Sequence, residues 1–311
     1  MSAGGQPHFV EVILCRPRAK GLQQGGDMEP KLDEARERSQ SVWDAMAPGW
    51  ETFRHDLWEL SRPVSEWLVE RLDPRPGQTI LDVAAGLGET GFLAARRVGE
   101  TGRVLVTDFA PSMLAAARRR AAELGVINVD FRELDGERMA LESACVDGVV
   151  CRWGYMLMAN PGAAFRETSR VTRPGGRLAF SVFGAADRNP WASLVGRILV
   201  EERHIPPPVP GSPGIFALSD SKRIHELLTQ AGFASPDVAE MLLTWRFPSS
   251  DAHWWVLTEM AGAISPILRG LAPEPQAKVR TRLSEMAQPF RAGDGYAFPA
   301  LCLNVATRKP A

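Results

Sequence analysis

Apolar residues change their spacing twice along the chain. Between residues 33 and 72 they recur close to helical spacing, which predicts two or three amphipathic helices broken around Pro48-Gly49. Between residues 79 and 183 short β-like runs alternate with helical stretches, a pattern typical of βαβ units and a parallel sheet. After Phe183 the pattern predicts more helices and two late strands, near 238–247 and 297–307.

These changes predict an α/β fold, a doubly wound, seven-stranded and mostly parallel sheet with a helical cap. We divide the chain into residues 1–30, a disordered leader rich in Gly, Gln and Pro, and residues 31–75, N-terminal cap helices. Residues 76–184 form the α/β core. Residues 185–311 supply further cap helices and the last two strands of the sheet.

Composition narrows the classes of function. The 311 residues include 36 Lys and Arg against 37 Asp and Glu, so nothing favours a nucleic-acid partner. The four cysteines form no Cys-x-x-Cys pair, and the five histidines lack ligand spacing, so we predict no disulfide framework and no metal site. With no integral membrane segment or secretory leader evident, we expect a cytoplasmic protein.

A glycine-rich turn follows the first buried strand of the core. Gly86, Gly88 and Gly91 match the spacing of a dinucleotide fingerprint, and Asp108 stands 20 residues after Gly88, where an acid would bind ribose. An NAD(P)-dependent oxidoreductase is therefore one alternative. A turn that only permits close packing of helix and strand is another.

Acidic residues favour a different ligand. Asp82, Asp108 and Asp135 lie at the carboxyl ends of three neighbouring predicted strands, with Asp135 ending the third, and this is the edge at which doubly wound sheets bind ligands. Asp82 precedes the glycines, where a carboxylate repels pyrophosphate and attracts a cation. The three acids suit a ligand with an ammonium group, a ribose diol and a nucleobase amine.

Successive motifs resemble a known family. ILDVAAGLGETG, VLVTDFAPSMLAAARRRA, LDGE, VDGVVCRWGYM and RVTRPGGRL look like those of class I S-adenosylmethionine-dependent methyltransferases, in the branch of the ubiquinone and menaquinone C-methyltransferases. The resemblance covers residues 41–183 well, and NPW, PGIFALSD and AGF resemble later segments of that branch. Ala84 departs from the pattern, because the family usually has its first loop glycine there.

The resemblance implies S-adenosylmethionine as the cofactor. Asp82 and the backbone of residues 84–88 would hold the methionine part, and Asp108 would bind both ribose hydroxyls. The adenine would pack against Phe109 and Met113, for which core packing is the alternative. Asp135 and the Gly136 amide would bind the exocyclic edge of the adenine. The residues expected to bind the cofactor are Asp82, Ala84, Gly86, Gly88, Asp108, Phe109, Met113, Asp135, Gly136 and Arg152, the last through its main chain.

The acceptor is expected to be a small, largely apolar molecule, because nine tryptophans lie mostly in the segments around the sheet edge. By the family pattern, Trp50, Trp153, Tyr155 and Trp191 would contact it, although many of the tryptophans would simply fix the cap to the sheet. The resemblance suggests an aromatic or quinone-like acceptor, methylated at O, C or N by in-line displacement.

Three points stay open at this stage. His55, His204 and His253 are candidates for a proton acceptor near the site, but ordinary surface or packing histidines are favoured. A non-catalytic module that binds S-adenosylmethionine is a further alternative function. A homodimer is compatible with the sequence.

Overall fold

The computed structural model describes residues 28–209 and 211–311. Their helices are α1 (Met28–Thr52), α2 (Arg54–Leu72), α3 (Glu89–Val98), α4 (Pro111–Leu124), α5 (Pro161–Val171), α6 (Pro190–Glu201), α7 (Ser221–Gln230), α8 (Ser250–Glu259), α9 (Ile264–Gly270) and α10 (Pro273–Met286). Their strands are β1 (Thr79–Asp82), β2 (Arg103–Asp108), β3 (Val129–Glu133), β4 (Val146–Arg152), β5 (Thr172–Phe183), β6 (Asp237–Phe247), β7 (Arg291–Ala292) and β8 (Gly295–Arg308).

The strands form one sheet in the order β3-β2-β1-β4-β5-β8-β6, with β7 paired to β8. Strands β1 to β5 are parallel to one another, and β8 runs antiparallel between β5 and β6. The predicted fold class is confirmed, with eight strands in place of seven. The additional strand, β7, has only two residues and pairs across a tight turn with the start of β8, which is too short to leave a pattern of its own.

The order of the strands reverses between β1 and β4. From β1 the chain builds outward through β2 to β3, then returns to β4 on the other side of β1. Such a reversal leaves a crevice at the carboxyl ends of the two strands, because the helices that follow them lie on opposite faces of the sheet. Any ligand bound at this point is positioned by the ends of β1 and β4.

The first helix does not break where the sequence predicts. It continues through Pro48 and ends at Thr52, and α2 begins at Arg54. An internal proline costs a helix about 3 kcal/mol, but here α1 is held by packing against α4 and α8, with Met46 and Ala47 buried. The helix also starts at Met28, so the end of the expected leader, 1–30, is helical, while residues 1–27 lie outside the described residues.

Helix α1 and the end of α8 are in direct contact. Trp50 of α1 donates its indole N–H to the carbonyl oxygen of Met260, just after α8, at 3.2 Å. A Cβ on Gly49 would lie 2.6 Å from the carbonyl oxygen of Glu259, so glycine is needed for this close approach. In the described part of the chain, no helix is both long and apolar enough to cross a membrane.

Candidate active site

Two of the three predicted acids end strands. Asp82 is the last residue of β1 and Asp108 is the last residue of β2, and both side chains are buried. Asp135 was expected to end β3, but that strand stops at Glu133 and Asp135 lies in the turn that follows. The parallel arrangement brings all three acids to one edge of the sheet.

The loop after β1 has an unusual backbone. Ala84, Gly86 and Gly88 all have positive φ angles, of 51°, 56° and 87°. A side chain at such a φ angle costs roughly 1–2 kcal/mol, so the loop accepts strain at Ala84. The Gly86 amide donates to Asp108 Oδ2 at 2.9 Å, which ties the loop to β2.

The third glycine of the apparent dinucleotide fingerprint serves a different purpose. The Gly91 amide donates to Asp82 Oδ2 at 2.8 Å, and a Cβ at Gly91 would lie 2.7 Å from the same oxygen. One of the N-terminal amides of α3 to which a pyrophosphate could bind is therefore occupied by a carboxylate. This arrangement does not support the oxidoreductase alternative.

The environment of Asp82 favours its protonated form. Burial raises the pKa of this carboxyl to about 8, assisted by the nearby acids Asp108 and Glu89 and opposed by the Gly91 amide and Arg152. Its second oxygen, Oδ1, is buried and has no hydrogen-bond partner among the described residues. An unsatisfied buried acceptor of this kind suits a cationic ligand group.

Asp108 is better satisfied than Asp82. Its Oδ2 accepts the Gly86 amide, and its Oδ1 accepts the Ala110 amide at 3.0 Å. Burial raises its pKa to about 6, although these backbone hydrogen bonds act in the opposite direction. Each oxygen keeps one lone pair with which it could accept from a ligand hydroxyl.

Asp135 and Gly136 lie beneath the start of α1. Asp135 Oδ1 accepts the Glu137 amide at 2.8 Å, and its Oδ2 lies 3.7 Å from Arg36 Nε. Burial raises the pKa of Asp135. A Cβ at Gly136 would lie 2.6 Å from Met158 Cε, so this glycine lets the loop pack closely.

Met113 and Phe109, both expected to pack against adenine, lie at an apolar cluster beside α1. Met113 is buried in this cluster between α1 and α4, whose buried members are Met46, Ala47, Leu87, Ala110, Met113 and Ala116. Phe109 is half-buried against the same cluster, and its carbonyl accepts from Gln40 Nε2 at 2.6 Å.

Polar residues of α1 fix that helix across the sheet edge. Arg36 donates from Nε and Nη2 to Glu137 Oε2, at 3.1 and 2.6 Å, and Asp44 accepts the Ser112 amide at 2.8 Å. No sequence pattern indicated these residues, because on an amphipathic helix they are indistinguishable from a solvated polar face. Their partners are distant in sequence, and no local spacing could have identified them.

Trp50, one of the residues expected to contact the acceptor, lies above the glycine loop. Its ring would be 3.8 Å from a Cβ placed on Gly86, and it contacts Trp43 edge to face, with 5.6 Å between ring centroids. Trp50 therefore covers the loop from the side of α1.

Arg152 and Trp153 follow directly at the end of β4. Arg152 Nε donates to Thr90 Oγ1 of α3 at 3.2 Å, and its guanidinium carbon lies 4.8 Å from the centroid of the Trp153 ring. Trp153 has a φ of 62° and stacks on Phe183, with 4.8 Å between centroids. The sequence pattern pointed only to the main chain of Arg152 and not to this half-buried side chain.

The four aromatic residues expected to bind the acceptor do not form one group. Trp191 joins the Trp153–Phe183 stack through Phe183, at 5.3 Å, and contacts Trp245 at 4.1 Å. The prediction that Tyr155 contacts the acceptor is wrong. Its side chain is fully buried between Phe165 and Phe180, and its hydroxyl is within 2.7 Å of Thr168 Oγ1, so it belongs to the packed core.

The candidate histidines differ in environment. His253 is buried among aromatic rings, with Nε2 2.8 Å from the Trp191 carbonyl oxygen, and burial lowers its pKa to about 4. His55 is exposed and His204 is half-buried. Among the described residues, no group of three or more His, Cys, Asp or Glu side chains could hold a metal ion.

The residues at this edge fit S-adenosylmethionine. The unpaired Asp82 oxygen can accept from an ammonium group, and the backbone at Gly86 and Gly88 follows a path that side chains rarely adopt. Asp108 has acceptor capacity left for hydroxyls. These features concern the amino-acid and ribose parts of the cofactor.

Comparison with known proteins identifies the family. A family model described as a methyltransferase domain matches residues 74–232, about half of the chain. The chain therefore belongs to this family and is a class I S-adenosylmethionine-dependent methyltransferase by descent. The predictions of this class, and of S-adenosylmethionine as its cofactor, are confirmed.

The curated relatives match part of their own length. The ubiquinone/menaquinone biosynthesis C-methyltransferase UbiE of Hydrogenovibrio crunogenus is 31% identical over 49% of this chain and 61% of its own length. Nocamycin O-methyltransferase of Saccharothrix syringae is 37% identical over 40% of this chain and 44% of its own length. The chain thus spans about half the length of these relatives.

Solved structures share the fold. The YcgJ protein of Bacillus subtilis aligns with a TM-score of 0.56 at 16% identity, over 80% of this chain and 99% of that chain. The [4+2]-cyclase SpnF aligns with a TM-score of 0.53 at 18% identity, over 88% of this chain and 96% of that chain. At such identities the likeness concerns the fold alone, and function must be argued from the site.

Proposed function

We propose that this protein transfers the methyl group of S-adenosylmethionine to an oxygen, carbon or nitrogen atom of a small, largely apolar acceptor. The observation that carries the proposal is the buried, half-satisfied carboxyl of Asp82 beside a loop of positive φ angles. Both lie at the reversal of strand order, where a ligand would meet the ends of β1 and β4.

Each acid has a proposed role toward one part of the cofactor. Asp82 would accept from the methionine ammonium, and Asp108 would accept from the ribose hydroxyls beside the Gly86 amide. Asp135 and the Gly136 amide would face the adenine edge. While facing the adenine, Asp135 would keep its contact with Arg36, whose Nε lies 3.7 Å from Asp135 Oδ2.

When bound, the cofactor supplies a methyl group that is already electrophilic. The protein's remaining tasks are to align the acceptor and to exclude water. Trp50 and the end of α8 would perform the second task, because their contact at Met260 closes the space above Gly86. An acid–base residue is not assigned, since His253 is buried among aromatic rings and bonded to a carbonyl.

The acceptor is proposed to be aromatic or quinone-like. Trp153, Phe183, Trp191 and Trp245 form a continuous aromatic cluster that begins at the end of β4. Flat apolar rings prefer such surroundings. The names of the relatives, one a C-methyltransferase of quinone biosynthesis and one an O-methyltransferase, support carbon or oxygen as the methylated atom.

Methyl transfer can be tested without knowing the natural acceptor. The purified protein is incubated with S-adenosylmethionine carrying a labelled methyl group and with a panel of phenols, hydroquinones and aromatic amines. We expect label in at least one extracted aromatic product, and loss of that label in an Asp108→Ala variant. Binding of the cofactor without transfer to any panel member would favour a non-catalytic binding module.

A further inference from the structure

Two buried polar atoms of opposite chemistry lie on either side of the crevice between β1 and β4. Asp82 Oδ1 is an acceptor and Arg152 Nη1 is a donor, and neither has a hydrogen-bond partner within the described part of the chain. Asp82 is in register with Val150, two residues before Arg152, so both side chains project from the same face of the sheet. Both side chains lie under α3.

Other bonds hold these two side chains apart. Asp82 is fixed through Oδ2 to the Gly91 amide, whereas Arg152 is fixed through Nε to Thr90 Oγ1. Thr90 is itself 2.9 Å from Ser65 Oγ of α2, so the anchor of the guanidinium is supported from a second helix. The two groups do not bond to each other, and each keeps one unsatisfied atom.

The unsatisfied atoms make this arrangement costly unless a ligand completes it. Burial raises the pKa of Asp82 and lowers that of Arg152, which means that each charge is poorly compensated. A buried unpaired donor or acceptor costs about 1–3 kcal/mol. A ligand that supplies a cation to Asp82 and an anion to Arg152 would relieve both costs, and an α-amino acid zwitterion has that pair of charges.

We propose that the Arg152 guanidinium binds the carboxylate of the methionine part of the cofactor, opposite the ammonium group at Asp82. This subsite would let the protein discriminate ligands with an intact amino-acid end from nucleosides without one. The inference rests on the proposed function, since it assumes that S-adenosylmethionine binds at this edge. It adds the side chain of Arg152, which sequence patterns did not single out.

The competing explanation is that Arg152 serves only as an internal counter-ion. Glu89 and Asp82 both favour its charged form, and Glu89 Oε1 also has no hydrogen-bond partner among the described residues. In that case removal of the guanidinium would disturb the whole site and would weaken every ligand alike. The two explanations therefore differ in which ligands they affect.

A series of three ligands separates them. S-adenosylhomocysteine carries the full amino-acid end, its decarboxylated analogue lacks only the carboxylate, and 5′-methylthioadenosine lacks both charged groups. Affinities are measured by calorimetry for the wild-type protein, Arg152→Gln and Arg152→Lys. Arg120→Gln is the matched control, because Arg120, on α4, also has a buried nitrogen without a hydrogen-bond partner among the described residues, and this Nε lies 3.8 Å from Glu89 Oε1.

We expect Arg152→Gln to weaken S-adenosylhomocysteine binding by about 10- to 100-fold, the effect of losing a hydrogen-bonded charge. Its affinity for the two ligands without a carboxylate should stay close to that of the wild-type protein. Arg152→Lys should recover part of the loss, and Arg120→Gln should bind all three ligands as the wild-type protein does.

Several results would overturn the proposal. An equal loss for all three ligands would make Arg152 an internal counter-ion, and an unchanged affinity for S-adenosylhomocysteine would remove its role altogether. If Arg152→Gln does not fold, the wild-type protein decides, because near-equal affinities for S-adenosylhomocysteine and its decarboxylated analogue would contradict the subsite. Failure of the wild-type protein to bind S-adenosylhomocysteine would instead refute the proposed function.

Discussion

Replacing Asp82 with asparagine tests two effects of this carboxyl: its effect on the stability of the ligand-free protein and its effect on ligand binding. The amide keeps the shape of the side chain, and its oxygen can still accept the hydrogen bond from the Gly91 amide, which is 2.8 Å long in the wild-type protein. What it removes is the ionisation of a group whose pKa is raised by burial from 3.8 to about 8. The substitution therefore tests the electrostatics of the site directly.

The direction of the pH effect follows from linkage. Because the pKa is higher in the folded chain than in the unfolded chain, the folded state retains the proton between about pH 4 and pH 8. The free energy of unfolding therefore falls as pH rises through this interval, by up to about 1.4 kcal/mol per pH unit. Asp82→Asn should lack this pH dependence. Its stability relative to the wild-type protein should therefore rise by several kcal/mol as the pH increases from 5 to 9.

The assay is urea unfolding followed by tryptophan fluorescence at pH 5, 7 and 9. Asp251→Asn is the control, since that side chain is 76% exposed, and its curves should parallel those of the wild-type protein. The same Asp82→Asn variant should bind S-adenosylhomocysteine about 10- to 100-fold more weakly. If the pH dependence of Asp82→Asn matches that of the wild-type protein, Asp82 does not titrate in this interval and the account of its burial is wrong.

Three further outcomes are expected. Gly91→Ala should destabilise the protein by about 1–3 kcal/mol in urea unfolding, because its Cβ would lie 2.7 Å from a carboxylate oxygen, whereas Gly196→Ala, in open space on α6, should stabilise it by up to about 1 kcal/mol. His253 has a pKa lowered by burial from 6.5 to about 4, so stability should be lost as pH falls through this interval, and His253→Phe should lack this acid-sensitive loss in thermal unfolding. Trp50→Phe removes the 3.2 Å bond to Met260, and stopped-flow fluorescence should show S-adenosylhomocysteine dissociating about 2- to 10-fold faster. An unchanged dissociation rate would mean that this contact does not retain the ligand.

The alternation of strands and helices could be predicted because each segment carries its own local pattern. Buried strands such as β1 and β4 are short apolar runs, and Gly125 ends α4 in a left-handed conformation typical of helix C-termini. The course of α1 could not be predicted in this way. Proline at position 48 signals a local break, and only contacts with α4 and α8 overcome it.

The candidate site shows the same division. Asp82 and Asp108 were recognisable from their place at the ends of apolar runs, since the carboxyl edge of a parallel sheet follows from strand direction. The side chain of Arg152 was not recognisable, because its position depends on a hydrogen bond to Thr90 of α3, which is distant in sequence. The Nη1 atom that has no partner among the described residues follows no sequence pattern. Tyr155 was misplaced because aromatic residues in a core and at a ligand site have the same local sequence pattern.

Calorimetric titration with S-adenosylhomocysteine, with NAD and NADP in parallel, tests the central claim most directly. We predict that S-adenosylhomocysteine binds and that neither nicotinamide cofactor does, because the Gly91 amide is occupied by Asp82. Binding of NAD or NADP without S-adenosylhomocysteine would contradict it. In that event the glycine spacing, and not the three acids, would define the ligand.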